Sequence, residues 1–217
     1  MEMKLFCETA TKIPVFQYDF GDKGPEILII GGVHGDEPEG IVAARGVLQK
    51  AVQDFRFALK LCLIPEFNVE GILNKVRGNS RGVDLNRNLP TKDWSPKAAT
   101  PRYHPGPEAC SEPENQALVQ LLKSRNFKFI VSLHSWNPML NVNGNCQPEV
   151  DILHQLTGYA IEPDIGYPTP GSLGTYAGKE LEIPTLTYEV QRELEFGEIN
   201  RVHVPALWQM LAACEKR

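Results

Sequence analysis

The sequence predicts an α/β fold, a sheet with helices packed on both faces, and three observations carry that prediction. Short apolar runs alternate along the chain with segments whose apolar residues recur at helical spacing. No internal repeat and no compositional boundary divides the chain. One long stretch, residues 75–110, lacks periodicity and is rich in Gly, Pro, Asn and Arg. A loop of that length inside a compact chain is usually functional or disordered.

Taken in order, residues 13–20 alternate as a half-exposed strand does, and Gly21-Asp22-Lys23-Gly24-Pro25 reads as a turn. Residues 26–30 form a short apolar run, as in a strand buried on both faces. Over residues 39–52, Ile41, Ala44, Val47, Leu48 and Ala51 follow helical spacing. Residues 57–64 are the next strand, stopped by Pro65. Ser111 with Glu114 three positions on predicts a capping box ahead of Ala117, Leu118, Leu121 and Leu122. A strand over 127–133, a helix over 149–157, a strand over 185–190 and a helix over 200–213 complete the pattern.

The chain has 217 residues, 42% hydrophobic and 23% charged, which suits one globular domain over 1–217. A formal charge of −5 without basic blocks argues against nucleic acid or an anionic membrane surface as partner. No apolar stretch approaches the ~20 residues that span a bilayer. The N-terminus lacks a basic region followed by an apolar one, so the expected location is the cytoplasm. Five cysteines without a Cys-x-x-Cys pair fit reduced thiols, and Cys62 within Lys-Leu-Cys-Leu-Ile reads as a core residue.

The chemistry-bearing residues cluster at predicted strand ends. His34 and Glu37 follow the 26–30 strand in Gly31-Gly-Val-His34-Gly-Asp-Glu37-Pro38. They fit either a turn with helix-capping acids or part of a zinc site, which in enzymes takes three protein ligands. His134, at the end of Phe-Ile-Val-Ser-Leu-His134, is the third candidate, or else a core histidine. His104, His154 and His203 lie in a loop or in helical segments and fit surface or packing roles. Glu189 sits in an apolar, β-branched strand, where it needs either a basic partner or a function. Burial there would raise its pKa toward that of a working general base.

The long loop holds Arg77-Gly-Asn-Ser-Arg-Gly-Val-Asp84-Leu-Asn86-Arg87-Asn88-Leu-Pro90. Asn86 and Arg87 could clamp a carboxylate, the guanidinium bidentately and the amide as neutral donor. Arg77 could meet an oxyanion as it develops. The alternative for this segment is a solvated basic loop.

Together, His34-x-x-Glu37, Asp84-Leu-Asn86-Arg87-Asn88, Ser111-Glu-Pro-Glu114, Ser132-Leu-His134-Ser-Trp136 and Tyr188-Glu189 resemble the zinc carboxypeptidase family, whose familiar members are digestive enzymes. The resemblance implies a three-layer α/β/α fold with a central mixed sheet of about eight strands and one zinc ion per chain. It makes His34, Glu37 and His134 the zinc ligands and Glu189 the general base. It further implies that Asn86 and Arg87 grip the substrate's terminal carboxylate, that Arg77 stabilises the oxyanion, and that Tyr167 closes over the bound substrate.

Within the family, Arg77-x-Asn-x-x-Gly-Val-Asp-Leu-Asn-Arg-Asn, Ser-Glu-Pro-Glu-x-Gln-Ala-Leu from Ser111 and Gly166-Tyr-x-Thr-Pro-Gly-Ser are similar to the bacterial murein peptide amidases. Those are cytoplasmic enzymes that cut γ-D-glutamyl-meso-diaminopimelate in recycled wall peptides, which implies a murein tripeptide as the small-molecule partner. Ser135-Trp136 departs toward the digestive enzymes, where the amidases are expected to carry Asp-Pro. Two other readings use the same residues: a deacylase resembling aspartoacylase or succinylglutamate desuccinylase, and an inactive peptide-binding module.

Overall fold

The computed structural model describes residues 1–217 and folds eight strands into one sheet. In chain order they are β1 (Glu2–Glu8), β2 (Pro14–Phe20), β3 (Glu26–Gly31), β4 (Lys60–Ile64), β5 (Phe127–Trp136), β6 (Met139–Asn143), β7 (Ala160–Glu162) and β8 (Thr185–Gln191). Across the sheet the order is β1-β2-β4-β3-β5-β8-β6-β7. β4, β3, β5 and β8 run parallel through the centre, and β2 and β6 pair antiparallel with its outer strands. This is the mixed three-layer arrangement that the family resemblance implied, and it agrees with the α/β pattern of the sequence.

Strand alternation gives the sheet two apolar faces. Ile27 and Ile29 pack toward α1 (Pro38–Asp54), α4 (Glu149–Thr157) and α6 (Val204–Cys214). Leu28 and Ile30 point the other way, toward α3 (Pro113–Ser124). Each fully buried side chain of this size contributes about 1.5–3 kcal/mol relative to exposure. Cys62 is buried beside Leu28 and Ile30, and burial holds its thiol protonated. α1 lies close beneath β5, because a Cβ at Gly40 would come within 2.6 Å of the Leu133 carbonyl oxygen.

Several elements depart from the sequence reading. β1, β6 and β7 were not expected, nor was α2 (Val69–Asn74), which Asn68 caps by accepting from the Gly71 N–H. The capping box does not form: α3 starts at Pro113 with Glu112 at its N-cap and no side-chain cap bond. The Ser111 hydroxyl instead donates to the Glu112 carboxylate and accepts from the Asn88 amide, tying the long loop to the helix start.

The 75–110 segment is ordered by such contacts. Its Asn79 accepts from the Arg81 and Val83 N–H groups, Asn88 donates to the Pro105 and Glu108 carbonyls, and short 3-10 turns form at Leu85–Arg87 and Pro101–Tyr103. The C-terminal helix is broken as well, α5 (Phe196–Glu198) and a wide turn at Ile199–His203 preceding α6. No helix is long and apolar enough to cross a membrane.

Candidate metal centre and active site

β3 and β5 end side by side, and their ends bring the two histidines together. Beyond β3 the chain turns through Gly32, at φ +67, a conformation that favours glycine. α1 then begins at Pro38, leaving Glu37 at its N-cap. Glu37 makes no capping bond; its carboxylate turns toward the histidines instead. The positive end of the α1 dipole favours a carboxylate at this position.

The cluster is tight and buried. Glu37 Oε1 lies 2.9 Å from His34 Nδ1 and Glu37 Oε2 lies 2.9 Å from His134 Nδ1, while the two Nδ1 atoms are 3.2 Å apart. All three residues are 6% exposed or less. Burial alone would raise the Glu37 pKa, yet the two imidazoles hold its carboxyl well below the usual range. Each imidazole is anchored from behind, His34 Nε2 at 3.0 Å from Asp84 Oδ1 and His134 Nε2 at 2.9 Å from Ser132 Oγ. Such anchoring fixes the tautomer and turns the Nδ1 lone pairs toward the shared point.

That donor set fits zinc. Donors held 2.0–2.1 Å from a tetrahedral zinc sit roughly 3.3 Å from one another, close to the separations found here. Two imidazoles and one carboxylate leave a coordination position for water or substrate.

Glu189 pairs in register with His134 across the parallel β5–β8 ladder, so both side chains rise from the same face. It is 6% exposed and its Oε2 is buried without any hydrogen-bond partner. Burial first, and then the charge of Glu37, push its pKa up to about 7.

The long loop supplies the cationic side. Arg87 is 5% exposed, donates through Nη1 to the Asn86 carbonyl, and is paired with no carboxylate. Asn86 Oδ1 accepts from the Leu173 N–H, which fixes that amide. Arg77 reaches between two acids, Nε 2.8 Å from Asp84 Oδ2 and Nη1 3.2 Å from Glu37 Oε1. Tyr167 meets Trp136 edge-on at 5.7 Å and lies 6.0 Å from the Arg87 guanidinium. His34, Glu37, His134, Glu189, Arg77, Asn86, Arg87 and Tyr167 all border one cavity of about 680 Å³.

Three contributors were not singled out from sequence. Asp84 and Ser132 orient the histidines, and Tyr103 presents its ring to the Arg77 and Arg87 guanidiniums, each 5.2 Å from its centroid. An acid two residues before Asn86 and a serine two before His134 were the available signals. Nothing local marks Tyr103. His203, by contrast, is a packing residue, buried with Nδ1 2.6 Å from the Tyr188 hydroxyl.

The chain is similar to known proteins in sequence and in fold. Murein peptide amidase A of Escherichia coli K12 is 30% identical over 175 residues, covering 75% of this chain and 69% of that protein. The crystal structure of the murein-tripeptide amidase of Escherichia coli O157 superposes with a TM-score of 0.81 at 22% identity, covering 98% of this chain and 92% of the other. A succinylglutamate desuccinylase from Silicibacter sp. TM1040 reaches a TM-score of 0.68 at 18% identity, covering 93% and 60%. The family profile described as zinc carboxypeptidase matches residues 20–160, the span that carries both histidines, Glu37 and the Asn-Arg pair. The chain is thus a hydrolase that belongs to the zinc carboxypeptidase family.

Proposed function

We propose that residues 1–217 act as one catalytic unit that hydrolyses the amide bond before a C-terminal residue with a free carboxylate. The proposed substrate is a murein peptide, cut between γ-D-glutamate and meso-diaminopimelate. The observation that carries the reading is a buried Arg87 without a carboxylate partner, bordering the same cavity as the His34, Glu37 and His134 cluster and the orphaned Glu189 oxygen. A guanidinium so placed suits an anionic end group.

In this proposal His34, Glu37 and His134 hold the zinc ion. Zinc, when bound, supplies Lewis acidity toward the scissile carbonyl and toward the water that attacks it. Arg87 and Asn86 bind the terminal carboxylate and fix the scissile bond relative to Glu189. Glu189 accepts the proton of the attacking water and returns it to the departing amine, a role that suits a carboxylate with a raised pKa. Arg77 donates to the oxygen on which negative charge develops. Tyr167 covers the substrate from the rim, where it already meets Trp136 edge-on. The similarity to murein peptide amidase A supports the substrate. All five cysteines are unpaired, which supports a reducing cytoplasmic location.

The test is hydrolysis of L-Ala-γ-D-Glu-meso-diaminopimelate by the purified protein, beside N-succinylglutamate and N-acetylaspartate. Chelation should abolish cleavage of the tripeptide, and zinc should restore it. Glu189→Gln should keep the zinc and lose activity. Turnover of the acylated amino acids alone would overturn the proposal in favour of a deacylase, and tight tripeptide binding without product would favour a binding module.

A further inference from the structure

The two edges of the sheet differ. β7 closes one side with three residues, too short to template a further strand, whereas β1 closes the other with seven. β1 pairs with β2 alone, and no other segment bonds its outer backbone groups. A free edge of that length presents unpaired N–H and C=O groups to another chain.

Its side chains are sorted by face. Met3 lies opposite Tyr18 and Leu5 opposite Phe16, on the side of the sheet that packs against α1. Glu2 lies opposite Asp19 and Lys4 opposite Gln17, on the other side. No helix covers the apolar row this far out: Met1 is 71% exposed, Met3 and Leu5 56% each, and Phe16 37%. The row runs on to the end of α1, where Met1 borders an open cavity of about 640 Å³ together with Val52, Phe55 and Phe57. Contiguous exposed apolar side chains beside a free strand edge mark an interaction surface.

The charge pattern chooses the occupant. A bulge at Phe6 ends the regular alternation, so the straight ladder that β1 can offer stops at Leu5. When two such strands pair antiparallel about a two-fold axis normal to the sheet, facing side chains share a face and one residue lies on the axis. With Lys4 on the axis, ammonium faces ammonium. With Glu2 there, carboxylate faces carboxylate. Leu5 on the axis would set Glu2 against Glu8 and carry both bulges into the ladder. With Met3 on the axis, Glu2 of each copy faces Lys4 of the other and Met1 faces Leu5, so both faces match. Asp19 is already neutralised by Arg125 at 2.8 Å, which leaves one Glu2 and one Lys4 per copy to be matched. We propose that β1 docks a second copy of this chain in this register, joining two sheets into one continuous sheet about a two-fold axis at Met3. Lys4, a residue type that ordinarily blunts an open edge, here sets the register. The contact is one short strand and one apolar row per copy, so the dimer is weak and forms with rising concentration.

Sedimentation velocity of the full chain, from micromolar to submillimolar concentration, should show monomer passing to dimer. Lys4→Glu sets carboxylate against carboxylate at both symmetric pairs and should weaken association about tenfold. Adding Glu2→Lys to it should restore association, because the exchanged charges face one another again and the new ammonium still lies opposite Asp19 of its own chain. Met3→Cys should cross-link on mild oxidation beyond any level that wild type shows through Cys7, since facing Cα atoms lie about 4.5–5.5 Å apart, within disulfide reach. Leu5→Cys, whose two copies would stand roughly 14 Å apart, should not. Circular dichroism and thermal unfolding establish that each variant is folded. A wild type that stays monomeric throughout the range would overturn the inference. So would a dimer that Lys4→Glu leaves unmoved, a charge exchange that restores nothing, or cross-linking of Leu5→Cys as fast as that of Met3→Cys.

Discussion

Asp84 holds His34 by the ring nitrogen that faces away from the donor cluster, with Oδ1 3.0 Å from Nε2. The same carboxylate takes the Arg77 Nε on its other oxygen at 2.8 Å and is fully buried. It therefore sets the tautomer of a proposed zinc ligand and the position of a proposed oxyanion donor at once. Asp84→Asn keeps the shape and removes the charge. Zinc affinity should fall about 10–100-fold, the usual effect of losing a partner behind a metal ligand. Competition with a chromophoric chelator at fixed pH measures it, and an unchanged affinity would falsify the orienting role.

Arg87 makes a second prediction. A buried guanidinium without a carboxylate partner should derive much of its worth from the substrate's end group. Arg87→Lys loses the planar fork, so kcat/KM for the tripeptide should drop by about two orders of magnitude or more. A peptide amidated at its C-terminus should be a poor substrate for both proteins and show little further loss. Equal losses on the free and amidated peptides would contradict the clamp.

Tyr103 lies 5.2 Å from both the Arg77 and Arg87 guanidiniums, so one ring faces both of the cations proposed to meet the substrate. Tyr103→Leu removes two contacts worth about 0.5–1 kcal/mol each. We expect KM to rise several-fold with a smaller change in kcat, and Tyr103→Phe to restore most of the loss. Steady-state kinetics on the three proteins decides this. If Phe behaves like Leu, the phenolic hydroxyl rather than the ring is responsible.

Glu114 gives a stability prediction away from the active site. It is fully buried in the first turn of α3, and neither carboxylate oxygen has a hydrogen-bond partner. Burial raises its pKa from 4.5 to about 7. Between those values the folded chain holds a proton that the unfolded chain releases, so this contribution to stability falls as pH rises. The slope is at most about 1.4 kcal/mol per pH unit. Urea unfolding from pH 4.5 to 8 should show the decline in wild type and a flatter profile in Glu114→Gln. Matching slopes would mean that Glu114 finds a partner when ionised.

What could be read in advance followed how local each signal was. The central strands announced themselves because burial on both faces needs continuous apolar runs, as in Ile27 to Ile30. β1 was hidden because an edge strand with Lys4 and Glu2 exposed has no such run. β6 was hidden because Met139-Leu-Asn-Val-Asn is too short for its alternation to stand out. His34, Glu37, His134 and Glu189 were legible because strand ends and an acid in an apolar strand are marked positions. Ser111 misled because its hydroxyl bonds to Asn88 and Glu112, partners that only the folded loop brings near. Tyr103 reaches two arginines across a loop, a relationship that no spacing encodes.

The ladder that sets His134 beside Glu189 joins two strands between which the chain makes a long excursion through β6, α4 and β7. Backbone hydrogen bonds between β5 and β8 set them side by side, and β6 pairs with β8 on its other edge, Met139 opposite Glu189. The loop and helix that follow β6, residues 144–157, lie outside this ladder, so a change in their length should leave the His134–Glu189 register in place. That excursion also holds Asn141, Asn143, Tyr167 and Lys179, which border the cavity. A graft confined to the segment beyond β6 should therefore reshape the cavity wall while keeping His134 beside Glu189.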